Sequence, residues 1–174
     1  MRGELYHLSL NYYEIFNLPV EFNVDLKSLH ERYGKIQKSI HPDRFAAATK
    51  VEQQQSLVKS THVNEAYQTL KNNLLRAKYL IELNYKNDPL PLSSDFLMQQ
   101  MEWEEELEEI KEIEPLILFK ENIKMNVQKE TVKLSKLLDQ DKNWGDAQIS
   151  LGELKFLSNL LTKTTELSHT LSDN

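Results

Sequence analysis

The sequence predicts an all-α protein in two parts: a helical hairpin, then a three-helix bundle joined to it without a flexible linker. Three observations predict this. Leu26, Leu29, Tyr33, Ile36 and Ile40 recur at three- and four-residue spacing, one apolar stripe of a helix. A second helical pattern follows the interruption at Ile40-His41-Pro42-Asp43-Arg44-Phe45, where Pro42 disfavours helical geometry in the residue before it. Beyond a loop at 84–94, three more patterns run over about 94–112, 115–140 and 146–171, with the short connections of an antiparallel bundle. Strand-period alternation and internal repeats are absent from the sequence.

In chain order, residues 11–18 read as a short helix ended by Pro19. Phe22 and Val24 cross a loop, and Asp25 is a fitting N-cap for the helix over 25–39. That helix carries Lys27, Arg32, Lys35 and Lys38 against Asp25 and Glu31, a basic surplus in a chain of net charge −6. The surplus reads either as a solvated face or as a docking face for an acidic surface. His41, Pro42 and Asp43 fall at the turn, exposed by position. The next helix, 47–70, draws its apolar positions from Val51, Val58, Val63, Ala66, Tyr67 and Leu70, and His62 is read as structural or solvated. Asn72-Asn73 marks a break, and Leu74 to Leu83 opens another helix directly, so the two parts are expected to be held rigidly. The boundary is placed between 73 and 74. Pro89 and Pro91 mark the long loop. Asn143-Trp144-Gly145-Asp146 separates the last two helices, with Asp146 expected as the cap, and the polar stretch 162–174 is expected to fray.

Composition narrows the function. With 174 residues, one or two domains fit. There is no cysteine, which excludes disulfides, thiol nucleophiles and cysteine-ligated metal. The acidic balance argues against general nucleic-acid binding, which needs a basic surface. No apolar run approaches the ~18 residues of a membrane span. The first seven residues lack the form of a signal peptide, and a soluble cytoplasmic protein is expected.

The helix from Asp95 to Ile110 carries a second signal. At about 100° per residue, Phe96, Trp103, Leu107 and Ile110 cluster on one face, which is the expected core. Leu97, Met98 and Met101 fall about 100° to 160° away, among Glu102, Glu105 and Glu109. Apolar side chains ringed by carboxylates suggest a partner surface, where methionine adapts well. The alternative is that another helix of the bundle covers them. Metal binding by these carboxylates fits poorly, because carboxylate sites in bundles use Glu-x-x-His pairs and this helix has no histidine.

The first part resembles a J domain. Tyr12 to Leu18 is similar to the first J helix, His41-Pro42-Asp43 stands at the turn between the second and third, and Asn64 to Leu70 resembles the end of the third. That resemblance implies that His41, Pro42 and Asp43 engage the ATPase domain of a DnaK-type chaperone, with Arg32, Lys35 and Lys38 steering.

The second part sharpens the resemblance. Phe96 to Ile110 resembles the "FLMEQLExREELDEI" helix of the HscB family, Arg76 to Leu80 its "RAEYLL", and Leu154 to Leu157 its "KLRFL". The resemblance covers nearly the whole chain in order. It implies a co-chaperone, not an enzyme, with an N-terminal J domain and a C-terminal three-helix bundle. Such a protein brings the iron–sulfur scaffold IscU to the DnaK-type chaperone HscA and stimulates its ATPase. By motif position, the scaffold surface carries over to Leu97, Met98, Met101, Glu102, Glu105, Glu109 and Phe156. Met101 stands where the family often has Leu. Trp103 stands where a smaller residue is common, and would extend the contact surface if it were exposed. Eukaryotic relatives carry a cysteine-rich metal element. This cysteine-free chain is similar to the bacterial form, and no cofactor or metal is implied. The rivals are a J protein serving a general chaperone with another client, and a hydrolase using His41 and Asp43 as an acid–base pair.

Overall fold

The computed structural model describes residues 10–45 and 47–172, apart from the side chains of Pro42 and Arg44. Among the described residues the elements are α1 (Tyr12–Ile15), α2 (Leu26–Ile40), a 3-10 turn (Pro42–Phe45), α3 (Lys50–Lys71), α4 (Asn73–Asn84), α5 (Ser94–Glu109), α6 (Ile113–Lys136), a π turn (Leu137–Asp141) and α7 (Trp144–Ser172). The chain divides into two compact units, Met1–Leu80 and Ile81–Asn174. Among the described residues no helix is long and apolar enough to cross a membrane.

In the first unit, Asn11 opens α1 by accepting from the backbone N–H groups of Tyr13 and Glu14, while Glu14 accepts in return from the Asn11 N–H. Asn17 closes the helix in left-handed geometry (φ 49°), with the Leu18 N–H bonded to the Tyr13 carbonyl and the Asn17 N–H to that of Glu14. Asp25 caps α2 as expected, accepting from Lys27 and Ser28. The bonds His30–Tyr67, Tyr33–Asn64 and Gln37–Ser60 run in opposite order along the two helices, so α2 and α3 form an antiparallel hairpin.

The face of α3 that meets α2 is Ser56, Ser60, Val63 and Tyr67. Val63, Ala66, Tyr67 and Leu70 are buried, but Val51 and Val58, also expected inside, are 65% and 46% exposed. Val58 lies about 200° round the helix from Ser56, on the far side. Val51 lies beyond the end of α2, since Ser56 already stands opposite Ile40. Leu26, in the first turn of α2, is likewise exposed.

Arg76 of α4 is buried and closes this unit. Its guanidinium donates to the Phe22 carbonyl (2.7 Å), the Leu70 carbonyl (2.5 Å) and the Asn73 side chain (2.6 Å), and lies 4.9 Å from the centre of the Phe22 ring. A buried cation is tolerable when its donors are matched in this way.

In the second unit, Trp103, Leu107 and Ile110 pack with Leu116, Phe119 and Ile123 of α6 and Leu157 and Leu160 of α7. The proline loop lies on α7: the Leu90 N–H bonds the Gln148 side chain, and a Cβ on Gly152 would meet Leu92 at 3.0 Å. Helix α6 begins at Ile113 and takes Pro115 into its first turn, where no helical N–H is lost. The cap of α7 is Asn143, whose side chain accepts from the Asp146 N–H. Asp146 is the third helical residue and accepts in return from the Asn143 amide at 2.7 Å. Residues 162–172, expected to fray, continue the helix, with Thr164 buried at their start.

A polar group crosses the α6–α7 contact. Lys133 donates to Glu130 and Glu153 at 2.9 and 2.8 Å, and Ser150, fully buried, donates to Glu130 at 2.5 Å. Burial, and then the Glu130 carboxylate, push the Glu153 carboxyl above its ordinary range despite Lys133. Such a group stabilises the fold fully below its unfolded pKa, and that contribution is lost as pH rises through the folded value. Glu153→Gln removes this dependence. The melting temperature of the variant, relative to the parent, is expected to rise between about pH 4 and about pH 7. A constant difference across that range would contradict the placement.

Candidate functional site

Two surfaces carry the residues singled out by sequence. The first is the turn that ends α2. His41 is the C-cap (ψ 131°), and its Nδ1 stands 3.3 Å from the Asp43 N–H and 3.4 Å from the Asp43 carboxylate. The N–H asks for a lone pair and the carboxylate for a proton, so Nδ1 serves one at a time. Both side chains are exposed, at 54% and 89%, which leaves the pair in water and not in an enclosed catalytic pocket. The side chain of Pro42 lies outside the described residues. A shallow groove beside His41 is lined by Tyr33, Gln37, Ser60, Thr61 and Asn64.

The turn is held from outside itself. Ser56 Oγ donates to the Ile40 carbonyl at 2.7 Å, and Ser56 is 4% exposed. No periodic signal marks Ser56, a small polar residue set into the face of α3 that meets α2. Lys35 and Lys38 are exposed on successive turns of α2. Arg32 differs: its guanidinium donates to the Phe16 carbonyl (2.7 Å) and to that of Asn17. Its Nη1 spans both carbonyls behind α1, so it ties α1 to α2.

The second surface is the outer face of α5. Ser93 caps the helix, accepting from the Phe96 N–H at 3.2 Å. Trp103, Leu107 and Ile110 are buried, whereas Leu97, Met98 and Met101 are 47%, 60% and 64% exposed. Glu102, Glu105 and Glu109 are exposed beside them, with Gln99 donating to Glu102 at 2.9 Å. Trp103 therefore does not extend this surface. Phe156 of α7 is half-buried, stacked on Trp103 (6.3 Å between centroids) and edge-on to Phe96 (6.0 Å). It borders the core and is more enclosed than the methionines. Among the described residues no group of three or more His, Cys, Asp or Glu is placed to hold a metal ion.

An all-α unit that presents His-Pro-Asp at the exposed turn of an antiparallel hairpin defines a J-domain protein, here followed by a helical bundle. Residues 92–165 match the HSCB C-terminal oligomerisation domain. A co-chaperone protein HscB homologue of Mannheimia succiniciproducens is 37% identical over 94% of this chain and 98% of its own. Chaperone HscB from Vibrio cholerae superimposes with a TM-score of 0.84 at 31% identity, covering 93% of this chain and 99% of that one. Human co-chaperone HscB gives 0.85 at 28%, covering 90% and 81%. The chain belongs to the HscB co-chaperone family.

Ser56→Ala would strip the Ile40 carbonyl of its side-chain donor. An expected loss of about 1 kcal/mol, at the scale of one hydrogen bond, is readable by urea unfolding. No loss would mean that water replaces the hydroxyl and that the bond does not secure the turn.

Proposed function

We propose that the chain binds the iron–sulfur scaffold IscU, brings it to the DnaK-type chaperone HscA and stimulates the ATPase of HscA, promoting transfer of iron–sulfur clusters in the cytoplasm. His41, Pro42 and Asp43 engage the ATPase domain. Lys35 and Lys38 raise the encounter rate with an acidic surface, an effect screened beyond about 10 Å at 0.1 M salt. Arg32 adds charge to that face while bracing α1. Scaffold contact falls to Leu97, Met98 and Met101, with Glu102, Glu105 and Glu109 around them and Phe156 at the edge. Carrying both sites on one chain makes the second encounter intramolecular and raises the local concentration of scaffold at the chaperone.

The observation that carries this reading is the exposure of Leu97, Met98 and Met101 on a helix whose opposite face is buried. A J protein serving a general chaperone is the alternative, and nothing in it calls for such a face.

Replacing Leu97, Met98 and Met101 together by alanine tests the assignment. Three buried truncations would cost about 2–5 kcal/mol each and exhaust a domain's ~5–15 kcal/mol of stability. The variant is instead expected to melt close to the parent while losing IscU affinity by the few kcal/mol of a small apolar hot spot. Leu107→Ala supplies the buried control. A triple variant that melts normally and still binds IscU would remove the face from the mechanism.

A further inference from the structure

A second apolar stripe lies on α6, away from the α5 face. Leu118, Met125 and Val132 are 73%, 65% and 65% exposed and recur every seven residues. At about 100° per residue they fall within about 40° of one another, opposite the buried Leu116, Ile123 and Leu134. Charge along this stripe is graded. Glu114 and Glu121 precede Met125, and Lys129 and Lys136 follow it, all on the same side of the helix and all exposed.

The spacing is symmetric about Met125. Glu121 and Lys129 stand four residues to either side, Leu118 and Val132 seven, Glu114 and Lys136 eleven. Two copies of α6 laid antiparallel about a twofold axis at Met125 therefore set Met125 against its own copy and Leu118 against Val132 of the second copy. The same register sets Glu121 against Lys129 and Glu114 against Lys136, twice over. A parallel pair would set each charge against its like, which disfavours that orientation. The geometry points to a second copy of this chain as the occupant of the α6 stripe, docked antiparallel in this register. Oligomerisation as such is in the description of the matching family domain; the face, the register and the charge pairing are what the geometry adds.

The present partners of these charges do not oppose docking. Glu121 bridges Lys124 at 2.6 Å and Lys136 lies 4.0 Å from Asp141, both exposed pairs of small worth. The stripe is about 21 Å long with three apolar side chains per copy, too small for an obligate dimer, so association is weak and dependent on concentration and salt.

Sedimentation equilibrium of the full chain tests this. The parent is expected to shift from monomer toward dimer with rising concentration, more strongly at low salt. Glu121→Lys and Lys129→Glu should each weaken self-association at least tenfold, since each opposes like charges at two places. The double variant restores both pairs and should dimerise like the parent. Mixing the two single variants should give a heterodimer that neither forms alone. The Leu97, Met98 and Met101 triple alanine variant should dimerise normally, which separates this face from the scaffold-binding reading. A parent that stays monomeric at high concentration, single variants that associate like the parent, a double variant that does not recover, or loss of the dimer in the triple variant would each overturn the inference.

Discussion

The last carbonyls of a helix have no partner within it, and the first unit is organised by how those groups are met. Arg32 donates to the Phe16 and Asn17 carbonyls behind α1, Ser56 to the Ile40 carbonyl at the end of α2, and Arg76 to the Leu70 carbonyl near the end of α3. Each donor comes from another helix, so every bond also fixes one element against the next. The His41 turn is thus positioned by groups that do not belong to it. His41 and Asp43 can remain in water while the backbone beneath them is held.

The second unit works by a different constraint. A helix in a small bundle buries one stripe, and any further apolar residues must face water or another molecule. Helix α5 with its C-cap buries Trp103, Leu107 and Ile110 and leaves Leu97, Met98 and Met101 outside; α6 buries Leu116, Phe119 and Ile123 and leaves Leu118, Met125 and Val132 outside. The surroundings differ. The α5 face is ringed by carboxylates, which favours a basic partner with an apolar patch. The α6 face carries both signs in mirror order, which favours itself.

Much of this was legible in the sequence because periodicity is a local property. The hairpin, its turn at Pro42, the Asp25 cap and the two faces of α5 all follow from spacing within single helices. What was not legible depends on neighbours distant in sequence. The cationic face of α2 reads as uniform, yet the Arg32 head reaches carbonyls fifteen and sixteen residues earlier. Val51 and Val58 match an apolar pattern, but α2 is too short to cover the first and lies on the wrong side for the second. Asp146 suits a cap, and only the structure shows that Asn143 takes that place and Asp146 answers it. Residues 162–172 look too polar to hold, but Thr164 donates to the Leu161 carbonyl at 2.7 Å, and Leu167 and Leu171 pack against the core. Phe156 shares a motif with its neighbours while its ring is half claimed by Trp103.

The central claim is that one chain holds the scaffold with its bundle while its J turn drives the chaperone. The most direct measurement is the ATPase rate of HscA with IscU and a fixed amount of the parent chain, as excess His41→Gln chain is added. A variant that keeps the α5 face and lacks the working turn should sequester IscU, so the scaffold-dependent stimulation should fall toward the basal rate and recover when more IscU is supplied. Stimulation that stays constant under excess variant would contradict the claim.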